Sequence, residues 1–371
     1  MRKTFDFVVV GAGFAGAVTA EQLASAGKSV LVVEKRPYPG GNAHDHRAEN
    51  GIMVHDYGPH IFHTENEKAF RYLSRFTDWL PYQHRVRARI ANQEFTLPVN
   101  LTTLTELLPL PRADQLAAKL IAAAAPDSSI TILKLRQSSD PDLQELASII
   151  YEKFYLNYSR KQWGIDPDLL DPQVTGRLPV RADHDDRYFQ DKYQGIPADG
   201  YTALFKRLLD QPKIEVLYNT DYQEIREQLN YQALIYTGAL DSFFKYHFGE
   251  LPYRSLGFDF STLPQAQFQP VAVVNYPGAE PFTRITEFKY FTNQRSPSTI
   301  ILREFPEKHE PGKNIPCYPI PLKKNFQLRD RYLSMAQPNV YFLGRLAEYC
   351  YYNMDQVTAK ALYLAAELVN R

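Results

Sequence analysis

Residues Asp6 to Val10 form an apolar, β-branched run, and Gly11-Ala12-Gly13-Phe14-Ala15-Gly16 follows it directly. A run of this kind reads as a buried strand. A helix then extends to about Ala26 and is closed by Gly27, after which Ser29 to Val33 reads as a second, parallel strand ending on Glu34. Glycines at this spacing permit a tight turn, close approach of backbone to pyrophosphate, and close packing of helix on strand, with phosphate at the helix N-terminus. An acid at the end of the second strand can hold ribose hydroxyls. Strand, glycine turn, helix, strand and acid in register therefore predict a dinucleotide-binding Rossmann unit at the start of the chain.

The chain has 371 residues, enough for two or three structural units. Lys plus Arg and Asp plus Glu are both 42, so no overall field draws in nucleic acid or an anionic membrane, and an anionic ligand must be met by local cations. Cys317 and Cys350 alone make no disulfide framework and no CxxC spacing, which fits a reducing, cytoplasmic setting. Asp6 and the regular glycines argue against reading Val8 to Ala20 as a secretory signal. No run of eighteen apolar residues suggests a membrane span. With 25 Tyr and 22 Phe, the chain has rings for a large core and also for pockets that take planar ligands.

Further along, Pro37 to His63 reads as loop with short strands and Asn66 to Phe76 as helix. Leu101 to Asn157 is mostly helical, including Ala117 to Ala125 and a helix after Asp140-Pro141 whose Leu143, Leu146, Ile150 and Phe154 share one face. Val271 to Tyr276 and Thr299 to Leu302 read as strands between proline and glycine turns. Strand Val340 to Leu343, a turn at Gly344-Arg345 and a helix from about Met354 restore an α/β signature. The expected plan is a nucleotide domain built from residues 1–80 and 326–371, with 188–240 connecting it to the sheet. A helical substrate domain at 81–187 and an antiparallel sheet domain at 241–325 are inserted.

The first glycine turn does not choose between FAD and NAD. Gly40-Gly41-Asn42 soon after Glu34, and Gly344-Arg345 ahead of a helix start near Met354, resemble the flavoproteins of the glutathione-reductase-like superfamily, in which a C-terminal helix faces the flavin. A closer resemblance lies in Gly40-Gly41-Asn42-Ala43, Tyr57-Gly58-Pro59-His60-Ile61-Phe62-His63-Thr64 and Pro81-Tyr82-Gln83-His84-Arg85-Val86. It continues in Tyr158-Ser159-Arg160-Lys161-Gln162-Trp163-Gly164, Arg177-Leu178-Pro179-Val180-Arg181, Asn275-Tyr276 and Phe282-Thr283-Arg284-Ile285, and ends in Gly344-Arg345-Leu346 with Tyr349, Tyr351 and Met354-Asp355. These blocks span nearly the whole chain, and in them the chain resembles the bacterial UDP-galactopyranose mutases. Asn353 and His84 depart from the residues many relatives carry there.

The resemblance implies an isomerase that holds FAD, active when reduced, and interconverts UDP-galactopyranose and UDP-galactofuranose without net redox change. Flavin N5 would attack the anomeric carbon and displace UDP. The implied cofactor residues are Gly11, Gly13, Phe14, Ala15, Gly16, Glu34, Lys35, Gly41, Asn42, His60, Gly344, Arg345, Tyr351, Asn353, Met354 and Asp355. Phe154, Tyr158 and Trp163 would border the uridine. Arg177 and Arg284, with Tyr188, Tyr318 and Tyr351, would grip the diphosphate, a task for guanidinium groups. His60, His63 and Glu304 would shape the sugar pocket, with Asn275 and Asn353 also on the substrate. Arg177, Arg284, His60 and His63 are thus the candidate catalytic set, and no protein nucleophile is nominated. Trp163 to Arg177 would form a lid. The family further implies a homodimer, no nucleic-acid partner, and galactofuranose for cell-surface polysaccharide. His44, His46, His55, His60 and His63 invite a metal reading, but no HExxH-like pair or nearby cysteine supports it, so no metal is expected. Rival readings are an amine-oxidase-like flavin oxidoreductase, a flavin-free binding protein on the same fold, and a mutase for UDP-N-acetylgalactosamine or UDP-arabinopyranose.

Overall fold

A computed structural model describes residues 3–171 and 178–370. The chain divides into two compact units, one of Met1–Tyr82, Asp191–Ser255 and His309–Arg371, the other of Gln83–Gln190 and Leu256–Lys308.

In unit 1 the main elements are β1 (Lys3–Val10), α1 (Phe14–Ser25), β2 (Val30–Val33), α2 (Tyr201–Leu209), β3 (Ile214–Leu217), β4 (Leu229–Tyr236), β5 (Val340–Phe342) and α3 (Met354–Val369). The strands form one sheet in the order β3-β2-β1-β4-β5, parallel at every junction. Parallel strands are covered on both faces, which is why they are continuous apolar runs and do not alternate with polar residues. Alternate β1 residues serve the two sides. Val9 packs with Val30, Val32 and Ile235 against α1, α2 and α3, while Val8 joins Leu31 and Leu234 on the other face. Full burial of each such side chain stabilises by about 1.5–3 kcal/mol. Small residues line α1, so α3 and α2 pack closely on it.

Helix α2 shows how distant residues complete local structure. Tyr201, Leu204, Phe205 and Leu208 repeat at helical spacing and are fully buried. Gly200 at the N-cap has no side chain to cap with and a φ of +88°. Asp45 supplies the cap instead, accepting from Tyr201 N at 2.6 Å and Thr202 N at 2.8 Å. A small antiparallel sheet of Phe62–Thr64, Tyr193–Pro197 and Trp79–Pro81 carries His63.

Unit 2 holds both the helical segment and most of the antiparallel sheet. Tyr253–Leu263, Thr299–Lys308, Arg284–Glu287, Val273–Asn275, Val86–Ile90 and Gln93–Leu97 lie in that order, Tyr253–Ser255 belonging to unit 1. Val273–Asn275 runs parallel to Val86–Ile90. The helix expected at 117–125 begins earlier, at Leu110, with proline in its first turn where a missing N–H is harmless. The face of Leu143, Leu146, Ile150 and Phe154 is buried as the spacing predicts. However, Tyr151–Leu156 is π-helical before the α-helix resumes at Asn157–Trp163. That extra residue per turn re-aims every side chain beyond it, a feature frequent at functional sites. No helix among the described residues is long and apolar enough to cross a membrane.

Candidate functional site

Unit 1 brings four chain segments to the end of β1. Gly11 has a φ of +101° and its N–H donates to Val33 O at 2.8 Å, tying the turn to β2. A Cβ on Gly16 would sit 1.9 Å from Gly11 O, so helix and turn touch through backbone alone. The second glycine loop lies alongside: Gly40 N donates to Ala12 O at 2.9 Å, and a Cβ on Gly41 would come 3.3 Å from Gly13 Cα. The third segment is the C-terminal turn, where Gly344, with φ +98°, approaches Ala15 so closely that a Cβ would lie 3.1 Å from the alanine's own. Glu34 is the fourth contributor. It is buried, with Oε2 accepting from Ala12 N at 2.8 Å and Oε1 from Arg36 N at 2.9 Å. Each oxygen retains a second lone pair for a ribose hydroxyl. Phe14 packs its ring edge-on against Phe205 at 4.8 Å, so it has only backbone to offer a ligand. Lys35 is exposed.

Arg36, which the sequence reading passed over, donates from Nη2 to Asn42 Oδ1 at 2.9 Å and lies 4.3 Å over the Tyr57 ring. Its Nη1 is buried with no partner among the described residues. A buried donor left over beside two glycine loops is a place for an acceptor oxygen or ring nitrogen. At the start of α3, Asn353 N donates to Gln356 Oε1 at 2.9 Å. Asp355 accepts from Thr64 Oγ1 at 2.7 Å through Oδ2, while its Oδ1 is buried without a partner among the described residues. Met354 opens that helix half-buried.

The five histidines between His44 and His63 separate into two groups. His44 and His46 both direct Nδ1 to Asp56, at 2.5 and 2.6 Å, a structural bridge. Buried His55 accepts the His60 N–H on Nδ1 at 3.0 Å, and burial pushes its imidazole down to about 4. His60 Nδ1 faces Gly58 O at 2.9 Å and must carry the proton. His63 Nδ1 meets Asp191 Oδ2 at 2.9 Å, a contact that holds the Asp191 carboxyl below the usual carboxylate range. Both rings, when neutral, thus have an acceptor at Nε2. Tyr318 and Tyr351 stack at 5.9 Å and 7°, with the Arg345 guanidinium 5.2 and 4.6 Å from their centroids. Arg345 also donates to Tyr352 O at 2.8 Å. Its charge therefore braces the tyrosine pair.

In unit 2, Asn275, Arg284 and Glu304 stand side by side across three strands, paired in register. Arg284 donates to Glu304 through Nε at 2.6 Å and Nη2 at 2.8 Å. Glu304 is fully buried, so its carboxylate depends on this fork. Its two oxygens thus brace Arg284. Phe154 is buried edge-on against Phe95 at 5.5 Å, Trp163 is buried, and Tyr158 is half-buried. Tyr188 meets the His84 ring at 5.6 Å. Arg177 and residues 172–176 of the expected lid lie outside the described residues.

The parallel sheet and doubled glycine cradle define a Rossmann-like dinucleotide-binding protein. In agreement, residues 9–76 match the family model for the NAD(P)-binding Rossmann-like domain. The model for UDP-galactopyranose mutase matches residues 153–351. A probable UDP-galactopyranose mutase of Klebsiella pneumoniae is 38% identical over 98% of this chain and 95% of its own length. A dTDP-fucopyranose mutase of Escherichia coli is 35% identical, covering 96% and 97%. The chain belongs to the UDP-galactopyranose mutase family. A crystal structure of reduced UDP-galactopyranose mutase shares the fold with a TM-score of 0.71 at 16% identity, covering 99% of this chain and 96% of that one.

Proposed function

We propose that this protein is an isomerase that interconverts UDP-galactopyranose and UDP-galactofuranose with FAD as its cofactor. The observation that carries this reading is the family match over residues 153–351, the segment holding the aromatic helix Asn157–Trp163 and the Asn275–Arg284–Glu304 row. Reduced FAD, when bound, supplies the nucleophile for the anomeric carbon. Gly13 and Gly41 present bare backbone to the pyrophosphate, Gly11 and Gly16 let the turn close against Thr237 and on itself, and Glu34 and Arg36 offer an acceptor and a donor to the adenosine half. Asn353, Met354 and Asp355 begin the helix whose positive end suits the flavin pyrimidine, in the manner of the glutathione-reductase-like superfamily.

Arg284 neutralises the diphosphate as it leaves and returns, and Glu304 holds the guanidinium in one orientation so that little reorganisation is needed. Arg177 is the second cation on the diphosphate. Tyr318 and Tyr351 donate hydroxyl protons to phosphate oxygens, and Tyr188 does the same. Tyr158 and Trp163 give flat surfaces for uracil, while buried Phe154 packs behind them. His60 and His63 border the sugar, each ring oriented by the bond at its Nδ1. The family resemblance also supports a homodimer working in the cytoplasm and supplying galactofuranose for cell-surface polysaccharide.

The test is anaerobic incubation of purified protein with each UDP-galactose form, with and without dithionite, followed by chromatography. Convergence of both reactions on one mixture, only with reduced flavin, is the expected result, and Arg284→Ala should abolish it while keeping bound flavin. Interconversion of dTDP-fucose forms and not UDP-galactose would move the substrate to that of the Escherichia coli relative. Consumption of an electron acceptor during turnover, or a protein without flavin, would overturn the reading.

A further inference from the structure

The helix Asn157–Trp163 carries a lysine that sends three hydrogen bonds into one loop. Lys161 Nζ donates to the main-chain carbonyls of Tyr276, of Glu280 at 3.0 Å and of Phe282 at 3.0 Å. An ammonium has three donors and no acceptor, so these carbonyls can engage all three. The loop runs from Tyr276 to Thr283, and its ends are Asn275 and Arg284, which face each other in the strand register. Pro277 and Pro281 bring no N–H to it, so its carbonyls need donors from elsewhere. Within the loop, Tyr276 N donates to Thr283 O at 2.8 Å, closing the base of the hairpin but not its tip. Lys161 closes the tip. Burial pushes its ammonium below the usual lysine range, against the pull of the Glu280 carboxylate.

We propose that Lys161 is a positioning residue for nucleotide-sugar binding. It ties the loop that ends in Asn275 and Arg284 to the helix that carries Tyr158 and Trp163, setting the guanidinium and the aromatic surfaces relative to each other. The inference rests on the reading of Arg284 and the aromatic helix as the UDP-binding elements. A displacement on the order of 1 Å in such a group costs up to about a hundredfold in binding or rate.

Three variants of the flavin-loaded protein test it: Lys161→Met, Lys161→Ala and Arg284→Ala, each read by UDP affinity in calorimetry, by KM and kcat, and by flavin content. Lys161→Met should raise the UDP Kd and the sugar-nucleotide KM by roughly 10- to 100-fold with kcat changed less than about threefold. Flavin content should be unchanged, because the glycine cradle belongs to the other unit. In Lys161→Ala, ethylammonium chloride should recover much of the UDP affinity where sodium chloride of equal ionic strength does not, a rescue that general loss of structure would not show. Wild-type Kd and KM in Lys161→Met, or no amine rescue in Lys161→Ala, would overturn the inference. Arg284→Ala separates the two layers. If it binds UDP like the wild type, the reading beneath falls and the inference with it. If it loses UDP while Lys161→Met does not, only the role of Lys161 falls.

Discussion

Gly13 and Gly16 lie in one turn, yet a methyl group should harm each for a different reason. On Gly16 the added carbon would be 1.9 Å from Gly11 O and 3.0 Å from its carbonyl carbon. Carbon–oxygen contacts settle near about 3.3 Å, so backbone must open by well over an ångström. Helix α1 has little room for that, since it is buried between the sheet, α2 and α3. Overpacking of this kind costs about 1–3 kcal/mol, and a backbone clash belongs at the top of the range. At about 2–4 °C per kcal/mol for a domain of this size, Gly16→Ala should lower the melting temperature of the flavin-stripped protein by roughly 6–12 °C. Gly13 has an ordinary φ of −82°, and its Cβ would meet Gly41 Cα at 3.7 Å, normal contact. Gly13→Ala should therefore melt within about 2 °C of wild type. Its methyl group instead fills the space against which pyrophosphate would lie, and FAD affinity should fall at least about a hundredfold, close to 2.7 kcal/mol. Thermal unfolding of stripped protein and FAD titration by fluorescence separate the two effects. Tight FAD binding by Gly13→Ala, or an unshifted melt for Gly16→Ala, would refute the reasoning.

The acid limb of stability should report His55. Its folded imidazole is held near 4 by burial, while an unfolded histidine titrates near about 6.5. The unfolded chain binds the extra proton, so this stability is complete above about pH 6.5 and declines as pH falls, by about 3 kcal/mol near pH 4. Denaturant unfolding of His55→Phe should show a flatter slope between those limits; an unchanged slope would assign the acid loss elsewhere. Glu304→Gln keeps the shape of the Arg284 fork but turns an amide N–H against the guanidinium. With Arg284 25% exposed, the loss should be roughly 2–4 kcal/mol in unfolding experiments, with a raised KM, and a neutral result would remove Glu304 as the brace.

The N-terminal unit was legible nearly to the residue. The strand expected to end at Val10 does so, and the helix expected to reach about Ala26 stops at Ser25, because strand period, glycine turn and helix stop are all written locally. The π-helical turn at Tyr151–Leu156 was not, since Leu143, Leu146, Ile150 and Phe154 keep the spacing of an uninterrupted helix. Arg36 was passed over, and Lys161 stood in a motif block without a role, because a lone cation in sequence looks like a solvated charge, and only burial shows otherwise. Asp45 as the cap of α2 is a partner 156 residues away.

By itself, then, the sequence determined which segments would be strands and helices around the glycine turn, and through its motif blocks the family. Those properties rest on interactions within a few residues, or on residue identity itself. Only the tertiary structure decided what each charged group does: Glu34 accepting from two backbone N–H groups, Glu304 bracing Arg284, Arg345 lying under two tyrosines, Lys161 closing a loop. A buried charge must find its partner wherever the fold brings one, and that pairing is a property of distance in space, which spacing along the chain does not encode.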